Sequence, residues 1–352
     1  MLDIGDEMTN STTDRRVGPH RIGRGDLPNL LAGGLASVAR LSRRDLLRLA
    51  ALAGGTLGAG GLLAACGGGG GGAGGAEQKA SAGSLRALTA NVPQLLMLSA
   101  QTELPAGRGR FAFGLSAENN RLVEGVAPQV WLARDQTSKA SGPFPARWLE
   151  LTGYGKTKDR SPSSELTGFY LAEVEVLEPG TWLGVAMVDV ASQRAAGQGS
   201  VQVKAQVPAQ AGTKARSGPT PVATSPGALA KICTREPVCP MHYISLDEAV
   251  RSGRPTVLSF ATPLLCTSRM CGPVVDEQIL AFEKLKSKAN FIHLEIYPER
   301  DTNKPAPLYR AWDLPSEPWM FVLDRAGVIR ARLGDGPTVA SEIEAAVRPL
   351  MA

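Results

Sequence analysis

Five cysteines are the residues of this 352-residue chain best suited to chemistry, and four of them fall in two close pairs. Cys266 and Cys271 are separated by Thr267-Ser268-Arg269-Met270 and followed by Gly272-Pro273. The apolar run Pro255-Thr256-Val257-Leu258-Ser259-Phe260-Ala261 ahead of them reads as a strand, and Val275, Ile279, Phe282 and Leu285 behind them repeat at helical spacing. The pair is therefore expected in the turn between a buried strand and the start of a helix. A thiol at such a place has its thiolate stabilised by unpaired backbone N–H groups and by the helix dipole, which lowers its pKa and makes it a nucleophile. Cys266 is the candidate attacking thiol, Cys271 the resolving partner, and Arg269 a nearby positive charge. The chemistry would be thiol–disulfide exchange: attack, a mixed disulfide, then resolution. Five residues of regular helix advance about 7.5 Å, more than the Cα separation that a disulfide tolerates. The turn from Cys266 to Cys271 must then be irregular when oxidised, or open when reduced.

The second pair lies in Cys233-Thr234-Arg235-Glu236-Pro237-Val238-Cys239-Pro240-Met241-His242. Three uses suit it. A Cys233–Cys239 disulfide would staple the start of the domain. A soft metal site made of Cys233, Cys239, Met241 and His242 would suit Cu(I), since thiolates, thioether and imidazole are its preferred ligands. A relay would pass electrons between this pair and Cys266–Cys271. Cys-Pro-Met-His resembles a short copper-associated motif. His293 sits inside a strand pattern and reads as a structural histidine. A competing reading makes both pairs inert disulfides on a binding or scaffold module without catalysis.

The elements that would position these residues follow from pattern. Ser245-Leu246-Asp247-Glu248 is a capping box opening a short helix. After the Cys266–Cys271 turn and its helix come a strand at Phe291–Ile296 and a short helix from Ala306 to Trp312. A strand Trp319–Leu323 follows Pro318, then a turn at Asp324-Arg325-Ala326-Gly327, a strand Val328–Leu333 and a closing helix from Pro337 to Leu350. This order, over Leu246 to Leu350, resembles the thioredoxin fold. The resemblance implies an α/β domain in which Pro318 is a cis-proline facing the active cysteines. Thioredoxins place two residues between their cysteines and this chain places four, a gap that resembles Q-type peroxiredoxins. Those carry a Thr three residues before the attacking cysteine, where this chain has Pro263. Sco-type copper chaperones are similar in their Cys pair followed by Pro and in a stretch like Pro298-Glu299-Arg300-Asp301-Thr302. Leu314-Pro315-Ser316-Glu317 holds no His where their copper ligand would fall.

Ahead of this domain, Leu85 to Gln206 alternates with period two, in short apolar runs at Arg110–Leu115, Gln129–Ala133, Tyr170–Val176, Trp182–Met187 and Ser200–Lys204, with a weaker one at Trp148–Leu151. Six or seven strands in this span read as a β-sandwich. Gly168-Phe169-Tyr170-Leu171-Ala172 through Pro179-Gly180-Thr181-Trp182 resembles the last hairpin of immunoglobulin-like modules. Tyr170 and Trp182 read as core rather than a binding surface. The region holds no Cys or His, so it offers neither a metal cage nor a nucleophile with a base, and it reads as a spacer or docking module.

The chain opens with an address. Ser42-Arg43-Arg44-Asp45-Leu46-Leu47-Arg48 precedes a mild apolar stretch ending in Leu63-Ala64-Ala65-Cys66. The first part resembles a twin-arginine export signal, with Leu46 where Phe is usual, and the second resembles a bacterial lipobox whose Cys66 is acylated. The expected organisation is signal and lipobox 1–66, a disordered Gly-rich tether 67–83, a sandwich 84–206, a linker 207–230 and the cysteine-bearing domain 231–352. It implies a lipid-anchored protein on the outer face of a bacterial cell membrane, where disulfides persist. Partners there would be exported protein thiols and disulfides or a membrane electron donor. No cofactor is required, copper being the one candidate. Of 38 Lys plus Arg and 33 Asp plus Glu, 30 and 27 lie from Cys66 onward, a balance that excludes an electrostatic nucleic-acid binder.

Overall fold

The computed structural model describes residues 81–117, 121–153, 167–176, 178–190, 193–268 and 270–352. The export signal, the lipobox with Cys66, the tether up to residue 80, and Arg269 lie outside them.

The first half is built on alternation. Strands β1 (Gln94–Ser99), β2 (Leu104–Pro105), β3 (Gly107–Ser116), β4 (Gln129–Ala133), β5 (Ser141–Glu150), β6 (Gly168–Val176), β7 (Gly180–Val190) and β8 (Gln193–Lys204) form one sheet in the order β1-β3-β6-β5-β4-β7-β8-β2, and β1 also pairs with β8. A five-residue helix α1 (Leu85–Thr89) leads into it, capped by the Ser84 side chain on the Ala87 N–H. Inward residues Phe111, Phe113, Leu115, Val130, Leu132, Tyr170 and Val201 fill the interior. Phe113 and Tyr170 have ring centroids 5.5 Å apart, and the Tyr170 hydroxyl donates to the Val123 carbonyl at 2.8 Å. Tyr170 and Trp182 are both buried, as a core role requires.

The second half is a four-stranded mixed sheet in the order β10-β9-β11-β12, from β9 (Thr256–Phe260), β10 (Asn290–Leu294), β11 (Trp319–Leu323) and β12 (Ile329–Arg332). β10 runs parallel to β9, whereas β11 runs antiparallel to β9 and to β12. Every residue of β9, β10 and β11 is buried, so both faces need cover. Helices α4 (Cys271–Leu285) and α6 (Ala340–Val347) cover one face, packing Val275, Phe282, Ile343 and Val347 onto Val257, Phe291 and Val322. On the other face α3 (Leu246–Arg251) places Leu246 and Ala249, and Trp312 follows α5 (Pro307–Ala311); these pack against Leu258, Phe260, Ile292 and Phe321. The segment read as a linker lies along this sheet: Gly212 N–H donates to Ile329 O and Ile329 N–H to Thr213 O, ahead of α2 (Pro226–Ile232).

The expected class, an α/β thioredoxin-like domain beside an all-β immunoglobulin-like sandwich, is corrected by this architecture. Among the described residues there are twelve strands, eight in one sheet, and only α4 among the helices exceeds eight residues. The larger sheet closes on itself through seven strands instead of dividing into two facing layers, so the chain is mostly β. The cause is β1, an apolar run without clear alternation that sequence pattern passes over. It pairs antiparallel with β3 (Leu96↔Ser116) and parallel with β8 (Leu95↔Gly197), joining the two edges. Gly199 permits that approach, since a Cβ there would lie 2.5 Å from the Met97 carbonyl oxygen. In the cysteine-bearing half, the helix begins at the second cysteine of the pair and not at the first. The chemistry of the cysteines therefore rests on their own geometry and not on that family.

The halves are joined by buried polar contacts. Arg110 of β3 makes a two-pronged ion pair with Glu342 of α6, both bonds 2.8 Å, and Arg332 of β12 pairs with Glu103 at 3.0 Å. Glu277 of α4 accepts from Gly153 N–H at 2.6 Å and from Ala340 N–H at 2.9 Å, linking the end of β5 to α6. These contacts set the position of the strand ring over the cysteine-bearing half.

Candidate functional site

Cys266 lies in an irregular turn after β9, and Cys271 is the first residue of α4. The helix N-terminus thus belongs to Cys271, which donates its backbone N–H to Cys266 Sγ at 3.4 Å. Ser268 Oγ stands 3.2 Å from the same sulfur. The Cys271 thiol, the Ser268 hydroxyl and the N–H groups of Cys271 and Met270 converge on Cys266 and outweigh its burial, bringing its pKa down to about 6. A large part of it is thiolate at neutral pH. Cys271 behaves in the opposite way: burial, the neighbouring Cys266 sulfur and the Glu317 carboxylate hold its thiol well above the ordinary value.

Glu317, a residue that sequence reading passed over, completes the group. Cys271 Sγ donates to Glu317 Oε2 at 3.4 Å. Burial, then the nearby Cys266 charge, push Glu317 up to about 7. It precedes β11, the neighbour of β9, the strand that leads into the Cys266 turn, and the Glu317–Pro318 bond is cis as expected. The only sequence signal for Glu317 was its place beside Pro318. The sulfur atoms of Cys266 and Cys271 and a Glu317 carboxylate oxygen lie within 4.8 Å of one another, so the three could also hold a metal. A groove of about 410 Å³ opens beside them between the two halves, lined by Leu98, Thr102, Phe169, Met270, Glu317 and Pro318 among others.

The second pair meets two histidines. Cys233 ends α2, Cys239 and His242 follow in the loop before α3, and His293 comes from the middle of β10. Cys239 Sγ lies 3.3 Å from both His242 Nε2 and His293 Nδ1, and Cys233 Sγ lies 4.0 Å from His293 Nδ1. All four side chains are buried and their donor atoms lie within 4.8 Å of one another, so the group can hold a metal ion. The four cysteines of the two pairs are present as thiols. Burial lifts the Cys239 thiol, and the same burial lowers His242; Cys233 is held far below the ordinary range, chiefly by a hydrogen bond from Cys239 and then by the two imidazoles.

Met241, named with these residues in the sequence, takes part through its backbone: its carbonyl accepts the His293 N–H at 2.9 Å. His293, expected to be structural, is the donor that sequence reasoning missed. Fifty residues separate it from the Cys-Pro-Met-His run, and only the pairing of β10 beside β9 brings it there. An imidazole within the otherwise apolar run Phe291-Ile292-His293-Leu294 was the available signal.

No family model matches this chain, and no curated protein matches it. Among solved structures, it is similar to a ZirS C-terminal domain (8% identity, covering 44% of this chain and 88% of that one, TM-score 0.16). It is also similar to titin domain M4 (10% identity, 31% and 93%, TM-score 0.16) and titin domain M7 (14% identity, 32% and 94%, TM-score 0.16). Scores this low carry no argument.

Proposed function

We propose that this chain is a thiol–disulfide oxidoreductase acting through Cys266 and Cys271. The observation that carries the reading is the asymmetry of the pair: one thiol lowered to about 6 and in contact with Ser268, which lines a groove, the other buried and held on a carboxylate. The Cys266 thiolate attacks a substrate disulfide, forming a mixed disulfide and releasing one substrate sulfur as a thiolate, which takes a proton from water. Cys271 then passes its proton to Glu317 and attacks Cys266 sulfur. The Cys266–Cys271 disulfide forms and the second substrate sulfur leaves, taking up a proton. Two electrons have moved from the cysteine pair to the substrate, and a dithiol reductant or a membrane electron donor would restore the pair. Run in reverse, the same steps oxidise a substrate dithiol.

The groove supports a polypeptide substrate, because its Leu98, Phe169 and Pro318 walls offer an apolar seat beside the sulfur. We place the protein on the outer face of a bacterial membrane, anchored through Cys66, on the strength of the Ser42–Arg48 and Leu63–Cys66 patterns. The test is the reduction potential of the Cys266–Cys271 pair in the full chain, with the bond mapped by mass spectrometry. Catalytic dithiols equilibrate between about −120 and −270 mV. A value below about −300 mV would mark a structural staple and favour a binding or scaffold role.

A further inference from the structure

We propose that Cys233, Cys239, His242 and His293 form a closed tetrahedral zinc site that ties the segment before α3 to β10, the edge strand of the sheet. Two thiolates and two imidazoles are a donor set that zinc takes in four-coordinate structural sites, with bonds of about 2.3 Å to sulfur and 2.0–2.1 Å to nitrogen. A tetrahedron with those bonds has edges of about 3.3–3.8 Å. Two of the observed sulfur–nitrogen separations are 3.3 Å and the third is 4.0 Å, so small side-chain adjustments centre an ion among them.

The surroundings are arranged for ligation. His293 Nε2 lies 3.0 Å from the Ala261 carbonyl, which fixes the proton on Nε2 and leaves the Nδ1 lone pair aimed at the cysteines. Thr234, next to Cys233, is fastened to Glu295 by its N–H at 2.5 Å and its hydroxyl at 3.1 Å. Arg235, in the loop between the cysteines, makes a buried 2.6 Å ion pair with Asp276 of α4. The loop is thereby held in place by contacts outside the donor set, which lowers the ordering cost of binding an ion. His242 and His293 are only 3% and 1% exposed, although both border a pocket of about 380 Å³ with Ile232 and Glu295; it is the four protein donors that leave a bound ion no open position, as a structural site requires. The set also explains why a histidine occupies the centre of β10. Zinc is favoured over the Cu(I) arrangement read from sequence because His293 adds a second imidazole to the two thiolates, a donor set typical of zinc.

The experiment uses the full chain, purified reduced and anaerobically, loaded with Zn(II) and passed through gel filtration before elemental analysis and zinc-edge absorption spectroscopy. The expected result is about one zinc per chain with two sulfur and two nitrogen ligands. Replacement by Co(II) should give the strong visible bands of a tetrahedral ion with thiolate charge transfer. Cys239→Ser and His293→Ala should lose the ion, whereas Met241→Leu and the double variant Cys266→Ser/Cys271→Ser should keep it. The double variant also separates this site from the thiol site, whose failure would leave the zinc result intact. A wild-type chain that is folded by circular dichroism, reduced, and still retains no zinc would overturn the proposal. So would a Cys233–Cys239 disulfide that persists when the protein is prepared with zinc, or metal lost in the Cys266/Cys271 double variant.

Discussion

Cys271 Sγ stands 3.4 Å from Glu317 Oε2, so the thiol that would give up its proton in the second half of the proposed exchange cycle already rests on a carboxylate. The two groups are displaced toward each other's needs. Burial keeps the thiol protonated until it is called on, and burial also lifts Glu317 to about 7, where it can accept a proton near neutrality. Cys266 needs no such help because its own hydrogen bonds hold it as thiolate.

Replacing Glu317 with Gln should therefore spare the first step and slow the second. A positioned general base contributes about 10²–10⁴-fold, and the lower end is expected here because water can reach a partly exposed carboxylate. In single-turnover experiments the mixed disulfide at Cys266 should accumulate in Glu317→Gln and not in wild type. The sign of the pH dependence follows from the raised pKa. The carboxylate is present only above about 7, so wild-type resolution should rise through that pH, and the variant should lose that rise. Equal resolution rates in both proteins would refute the role.

The thiol itself offers a direct reading. Iodoacetamide should label Cys266 in the reduced chain with a midpoint near pH 6, and leave Cys271 unlabelled at that pH. The Cys271 thiol is the largest contributor to the lowering, so Cys271→Ala should move the midpoint upward, toward the ordinary 9.0. A depressed folded-state pKa also means that the thiolate's contribution to stability is held above pH 9.0 and is lost as pH falls through about 6. Chemical denaturation of the reduced chain at several pH values, compared with Cys266→Ser, would reveal that slope.

Much of this was legible in the residues, and what was hidden was hidden for physical reasons. The turn between β9 and α4 and the strands of the second half follow from apolar runs and their breakers, which are local. Ring closure is not local: it depends on β1 pairing with both β3 and β8, and a run such as Leu95-Leu96-Met97-Leu98 has no period that declares a strand. His293 and Glu317 were missed for the same reason, since each acquires its role only when a strand distant in sequence is laid beside β9. Met241 was named because it neighbours Cys239 in sequence, and its carbonyl accepts the backbone N–H of His293.

The union of the two halves should depend on Arg110. Its guanidinium reaches Glu342 through two bonds and also donates to the Pro337 carbonyl at 2.5 Å, with both side chains about nine-tenths buried. Removing one partner of a buried pair leaves the other charge without compensation, at a cost of about 3–5 kcal/mol. Arg110→Ala should lower the urea midpoint correspondingly. Arg108→Ala, two residues away in an exposed pair with Glu175, should change stability by no more than about 0.5 kcal/mol. Similar losses in both variants would mean that the Arg110–Glu342 contact does not hold the halves together.

Leu98 tests whether the groove seats a polypeptide. It sits on β1 with 51% of its surface exposed and lines the space beside Met270 and Pro318, so substitution there leaves the core untouched. If a substrate covers Leu98, burying that side chain contributes about 1.5–3 kcal/mol to binding. Leu98→Glu should then raise KM for a disulfide-bonded polypeptide by roughly 10–100-fold, because each 1.4 kcal/mol is tenfold in affinity. A small disulfide such as dithiobis(nitrobenzoate) reaches Cys266 without occupying the groove, and its rate should not change. A parallel fall for both substrates would place the effect on the thiol pair itself, and an unchanged KM for the polypeptide would move the docking surface elsewhere.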